Sequence, residues 1–187
     1  MSFEAILGAL DKLPVTPLSG TAFRAVNLRH INSPLSAVGS VRVGGRFNRR
    51  GLFEALYLSE NPETTLREVE FGASVDGIFK AVPKEPYVIF SIGFSLSRIV
   101  DLSLPEAWRI LGVTREQLTA PWRKKQLFGE PILTQAIWAK ALELGLEALK
   151  FVSATDGQVN LAVFPANLRG GNWLEIGLEG RGVHRLP

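Results

Sequence analysis

The chain has 187 residues, 46% of them hydrophobic and 21% charged, which suffices for a full buried core and excludes an intrinsically disordered chain. It has no cysteine, so disulfides, thiolate metal sites and a cysteine nucleophile are excluded together. Its net charge of +3, from 21 basic and 18 acidic residues, is too mild to demand a nucleic-acid partner.

The first residues, MSFEAILGALDKLP, carry acids at Glu4 and Asp11 and no basic n-region, so they do not read as a signal peptide. No apolar run reaches the roughly 18 to 20 residues of a membrane span. A cytoplasmic location is therefore expected. Phe3, Ile6, Leu7 and Leu10 at helical spacing predict a short amphipathic helix over 3–13, stopped by Pro14. Residues 14–20 read as a connector and 21–27 as a strand with Arg24 in its middle. Residues 28–40 read as a loop. Residues 41–47 read as a strand broken by Gly44-Gly45, a pair that allows either a positive-φ turn or close approach of another group.

Charge is concentrated here. Arginine outnumbers lysine 14 to 7, Arg42, Arg46, Arg49 and Arg50 fall within nine residues, and no acid occurs from Gly39 to Phe53. Arginine's planar fork suits bidentate phosphate binding better than a lysine point charge does. A solvated basic hairpin is the plainer alternative. A short strand follows at 55–59 and then a helix with Asn61 as N-cap, Pro62 at N1 and Glu63 at the positive end of the dipole. Leu66 and Val69 are expected to face the core, which leaves Glu68 on the flank between core and solvent.

Two apolar β-rich runs follow, at 87–94 and 98–102. Over the insert 104–130, Pro105 opens a helix containing Trp108, and Thr114 with Gln117 gives a capping-box signature. Trp122-Arg-Lys-Lys125 reads as a solvated basic face, with core burial expected for both tryptophans. Residues 132–144 predict a helix closed by Gly145. Strands at 148–153 and 159–164 flank a Thr-Asp-Gly turn, and a last strand at 173–178 precedes a glycine- and arginine-rich tail. The order predicts a compact mixed α+β fold in a single domain, with residues 1–20 as N-terminal helix and connector, 21–168 as core and 169–187 as extension.

Familiar chemistries are set aside on residue grounds. His30 and His184 stand alone, with no HExxH pair, so no metal centre is expected. There is no GxxxxGK[ST] loop, no GxGxxG entering a helix, no G-x-S-x-G elbow, and no interleaved basic and aromatic array for nucleic acid. What remains is a set of arginines able to hold a pyrophosphate, a tyrosine able to stack on a flat base, a glutamate and a serine after a strand. Such a carboxylate can stabilise an oxocarbenium-like state as a glycosidic bond opens, or orient a ribose hydroxyl.

The stretches GGRFN, ALYLSENPETTLREVEFG, KFVSA and VNLAVFP resemble the RES-domain family over roughly 21–168. These are toxins of RES–Xre toxin–antitoxin pairs, named for an arginine, a glutamate and a serine. Residue by residue, those fall on Arg46, Glu68 and Ser153, and the family's strand tyrosine and an earlier arginine fall on Tyr57 and Arg24. Departures are Ala25 where an aromatic is common, Val152 where proline commonly precedes the serine, and Gly72 where histidine is frequent. The resemblance implies a fold similar to ADP-ribosyltransferases with a split sheet, and degradation of NAD as substrate by hydrolysis or phosphorolysis. Protein mono-ADP-ribosylation and a non-catalytic nucleotide- or partner-binding module are the alternatives. In that picture Arg46 with Arg24 grips the NAD phosphates and Tyr57 stacks on nicotinamide or holds the ribose. Glu68 supports the oxocarbenium ion, Ser153 bonds nicotinamide or phosphate, and Asn160 joins the substrate-binding set. Implied partners are NAD, inorganic phosphate and an Xre-type helix-turn-helix antitoxin, with DNA reached only through the antitoxin.

Overall fold

The computed structural model of the chain describes residues 2–73, 86–178 and 182–187. Part of the expected tail and the surroundings of Gly72 lie outside the described residues. Helix α1 (Phe3–Ala9) starts at Ser2, whose hydroxyl accepts from the Ala5 N–H, and a single 3-10 turn carries it to Leu13. Ile6 and Leu10 of the predicted stripe are buried, while Phe3 stays exposed.

Strand β1 (Thr16–Asn27) begins five residues before the predicted strand. The expected connector is drawn into it by pairing with β3 (Tyr87–Asp101), where Thr16 faces Ile99 and Gly20 faces Phe94. The same ladder joins the two runs expected at 87–94 and 98–102 into one 15-residue strand, through the buried Leu96. The strand expected at 41–47 is instead the end of helix α2 (Val38–Val43) and the turn after it, since so short a run of weak alternation does not separate the two periods. Gly44, at φ +77°, ends it with its N–H on the Ser40 carbonyl.

Strand β2 (Leu56–Ser59) and helix α3 (Pro62–Ala73) follow, then after β3 the insert helices α4 (Pro105–Leu111), α5 (Arg115–Thr119) and α6 (Trp122–Leu127). Thr114 and Gln117 form the predicted reciprocal capping box of α5. Helix α7 (Leu133–Glu143) is followed by Gly145 at φ +68°. Strands β4 (Ala148–Val152), β5 (Val159–Val163), β6 (Trp173–Leu178) and β7 (Gly182–Leu186) complete the chain, β7 forming within what reads as tail.

The seven strands run β1-β2-β5-β4-β3-β6-β7, and β1 also pairs with β3. Five strands therefore close on themselves, with β4 parallel to β3 and every other pairing antiparallel. Closure is narrow at one seam: β1 meets β2 only at Phe23 opposite Ser59. Both faces of the central strands are covered, which explains their unbroken apolar sequences. Leu149, Phe151 and Ala162 point into a core under α1, α4, α5 and α7, while Ala148, Leu161 and Val163 point into a second core with β1, β3 and β6. Trp138 centres the first core, stacked on Phe164 at 3.7 Å between ring centroids.

Candidate functional site

At the narrow seam, the Gly44–Arg46 turn, β1, β2, α3, the 151–160 segment and α6 enclose a cleft of about 380 Å³. Arg24, Arg46, Tyr57, Glu68, Arg123 and Asn160 line it. Ser153 lies just beneath, 2% exposed. Six residues singled out from sequence thus come to one place, and Arg123 joins them.

Glu68 is placed by the polar face of α3. The helix starts as expected, with Asn61 Oδ1 accepting from the Thr64 N–H. Its buried side is only partly the predicted one: Val69 is half-buried and lines the cleft, but Leu66 is 46% exposed, and Thr64 and Thr65 are buried instead. The Thr64 hydroxyl donates to Asp156 and that of Thr65 to the Asn61 carbonyl, while α3 packs on β1 and β2. Residues three and four apart share a helix face, so burying Thr64 and Thr65 turns Glu68 inward. Among the described residues, one oxygen of Glu68 takes every hydrogen bond: Oε1 accepts from Ser153 Oγ at 2.6 Å, Asn160 Nδ2 at 2.9 Å and Thr155 Oγ1 at 3.4 Å. Ser153 is fixed in turn by the Thr155 N–H on its Oγ and by a turn whose Gly157 stands at φ +76°. Partial burial works to raise the Asp156 pKa, but hydrogen bonds from Thr64, the Gln158 N–H and Ser153, with Arg67 nearby, hold it below the usual carboxylate range.

Two arginines are held half-satisfied. Arg24 Nη2 donates to the Ser36 carbonyl at 2.9 Å, whereas its Nη1 is shut from water with no partner. Burial lowers its pKa to about 10, so the charge persists at neutral pH. Arg46 Nη1 donates to the Leu118 and Ala120 carbonyls at the end of α5. Burial lowers its pKa; Glu68 and Tyr57 oppose that and Arg123 reinforces it. The Arg46 backbone is pinned by α7, through Thr134 Oγ1 to the Arg46 carbonyl and Gln135 Nε2 to the Gly45 carbonyl.

Tyr57 holds the same turn. Its hydroxyl accepts from the Phe47 N–H at 3.2 Å and donates to Asn48 Oδ1 at 2.8 Å, and burial raises its pKa well above the usual tyrosine range. The hydroxyl is therefore committed to the protein, while Tyr57 lines the cleft. Gly45 permits this: a Cβ there would lie 2.6 Å from both the Tyr57 hydroxyl and Asn48 Oδ1. Close approach is thus the reason for glycine at 45.

The basic face expected at 122–125 divides. Lys124 and Lys125 are exposed, but Trp122 is buried and both it and Arg123 line the cleft. Arg123 and Thr155 went unseen in the sequence. Thr155, two residues after a site serine, has the spacing of a local hydroxyl turn, which is a usable signal. Arg123 had none, because its place depends on how the insert folds back.

Fold and cleft define an α+β protein that, among the described residues, sets three guanidinium groups and one anchored carboxylate around a cavity of mixed lining. The chain belongs to the RES-domain family: the RES domain model matches residues 21–173. Its fold is similar to that in the crystal structure of the M. tuberculosis MbcT–MbcA toxin–antitoxin complex, with TM-score 0.70, 22% identity, and 99% of this chain and 94% of that chain covered. Among curated proteins none matches this chain. No helix among the described residues is long and apolar enough to cross a membrane.

Proposed function

We propose that this protein is the toxin of a toxin–antitoxin pair and degrades NAD by cleaving the bond between nicotinamide and ribose. The observation that carries the reading is the pairing, in one cleft, of a buried Arg24 donor with a Glu68 carboxylate, the donor unpartnered and the carboxylate anchored through one oxygen among the described residues. A buried donor without a partner costs free energy unless a ligand supplies an acceptor, and a pyrophosphate oxygen does so. Arg24 and Arg46 hold the two phosphates, and the Tyr57 ring gives a flat surface for the base or the ribose.

Glu68 Oε2 takes none of the three bonds that fix Oε1 and is presented to the ribose. As the C1′–N bond breaks, nicotinamide leaves with the electron pair, and positive charge develops on the ribosyl carbon and ring oxygen beside that carboxylate. Water or inorganic phosphate then adds through oxygen and gives up a proton. Ser153, Thr155 and Asn160 are positioning groups for Glu68. Asn160 Oδ1, buried without a partner, offers an acceptor for the carboxamide N–H of nicotinamide. Likeness to ADP-ribosyltransferases and neutralisation by an Xre-type antitoxin belong to the same reading.

The test is NAD loss with purified protein, with and without inorganic phosphate, beside Glu68→Ala. Rapid loss that stops in the mutant supports the reading, and its phosphate dependence names the acceptor. Survival of NAD under both conditions with correctly folded protein overturns it, and retention of labelled adenylate on a protein band then points to ADP-ribose transfer.

A further inference from the structure

We propose that Arg123, seated on the face of Trp122, forms a third anion seat in the cleft, one that takes a phosphate group beyond the pyrophosphate of a dinucleotide. The proposal rests on the dinucleotide reading for where the first two phosphates lie. Among the described residues, three guanidinium groups, Arg24, Arg46 and Arg123, line the cavity with a single carboxylate, Glu68. NAD brings two phosphate charges and one pyridinium. With the pyridinium against Glu68 and the phosphates on Arg24 and Arg46, one positive charge is left over, on Arg123.

The geometry around Arg123 is that of a built wall. Its guanidinium carbon stands 4.7 Å over the Trp122 ring, and Trp122 itself is only 9% exposed. A guanidinium over an aromatic ring keeps N–H groups for the forked bonds that phosphate accepts. Among the described residues, no hydrogen bond or ion pair ties Arg123 to a carboxylate. Arg46 is fixed to the carbonyls of Leu118 and Ala120, immediately before α6, so the segment that carries Arg123 is held in register with Arg46. Burial is the main cause of the lowered Arg46 pKa, and Arg123 adds to it as a like charge does. A phosphate dianion between the two relieves that repulsion. It can arrive as free orthophosphate or as a 2′-phosphate carried on the ribose of the dinucleotide.

Calorimetric titration of Glu68→Gln protein, which does not turn over, separates these sources. The ligands are NAD, NADP, and orthophosphate added to the NAD complex, each with and without Arg123→Gln. The expected result is NAD affinity within about threefold, with about tenfold or greater weakening of orthophosphate or of NADP, and partial recovery in Arg123→Lys. Loss with orthophosphate identifies the free ion, and loss with NADP identifies the ribose phosphate. Equal weakening of NAD, or no change with any ligand, overturns the proposal. Arg123-dependent orthophosphate binding by a protein that ignores NAD keeps the anion seat and removes the dinucleotide reading.

Discussion

Arg24 illustrates how a proposed binding group stores instability. Its Nη1 is buried without a partner and its pKa is lowered to about 10 by burial. A base whose folded pKa lies below its unfolded value costs stability wherever both states are protonated, and that cost fades as pH rises through the folded pKa. Arg24→Met is therefore expected to raise stability by about 1–2 kcal/mol in denaturant melts, with the gain constant between about pH 6 and 9 and shrinking above about 10. The same variant should lose NAD binding. Ser153 acts at the same scale but through geometry. Ser153→Ala removes the shortest bond to Glu68 Oε1, at 2.6 Å, while Asn160 keeps the carboxylate nearby. Steady-state NAD consumption should show kcat down about 10- to 100-fold with KM little changed, since orientation rather than affinity is lost. A matching rise in KM would instead assign Ser153 to substrate binding.

At the scale of elements, the Arg46 turn is a lock between two helices and a strand. A Cβ at Gly45 meets the Tyr57 hydroxyl and Asn48 Oδ1 at 2.6 Å, so Gly45→Ala forces either group away. The expected cost is about 1–3 kcal/mol by chemical denaturation, with NAD turnover lost because Arg46 moves with the turn. Adding Tyr57→Phe should not restore the stability, since the ring Cζ stays 3.1 Å from that Cβ and the bonds to the Phe47 N–H and Asn48 Oδ1 are lost. That close approach was readable in Gly44-Gly45, as was the α3 N-terminus in Asn61-Pro62, because both are local backbone requirements. The buried face of α3 was not readable. Apolar periodicity pointed to Leu66, whereas Thr64, Thr65 and Glu68 form the inner face through hydrogen bonds to distant segments. Nor could the sequence extend β1 to Thr16 or place Arg123, since both depend on partners about 70 to 80 residues away or on the return of an insert. Bringing Arg46, Glu68 and Ser153 together came from family likeness, since spacing alone joins no residues so far apart.

For the whole molecule, the narrow β1–β2 seam that opens the cleft has a counterpart in a buried carboxylate. Glu147 is fully buried and forms no ion pair among the described residues; Oε2 accepts from the Ser97 N–H, the Ser97 hydroxyl and the Arg98 N–H, and Oε1 from the Arg169 N–H and Asn172 Nδ2. It thus ties β3, the start of β4 and the loop before β6 into one unit. Each of its oxygens meets only donors, so Glu147→Gln must turn an NH2 group against N–H groups whichever way the amide is placed. The expected loss is about 2–4 kcal/mol, which for a chain of this length is a melting-temperature drop of roughly 5–15 °C. Asn172→Ala removes one donor and leaves the rest, so about 1 kcal/mol should go. Because none of these groups lines the cleft, NAD turnover per folded molecule should be unchanged in both variants well below their melting temperatures. A fall in turnover at full folding would mean that the tie reaches the seam, and that closure of the sheet at β1–β2 depends on the register Glu147 imposes on β3.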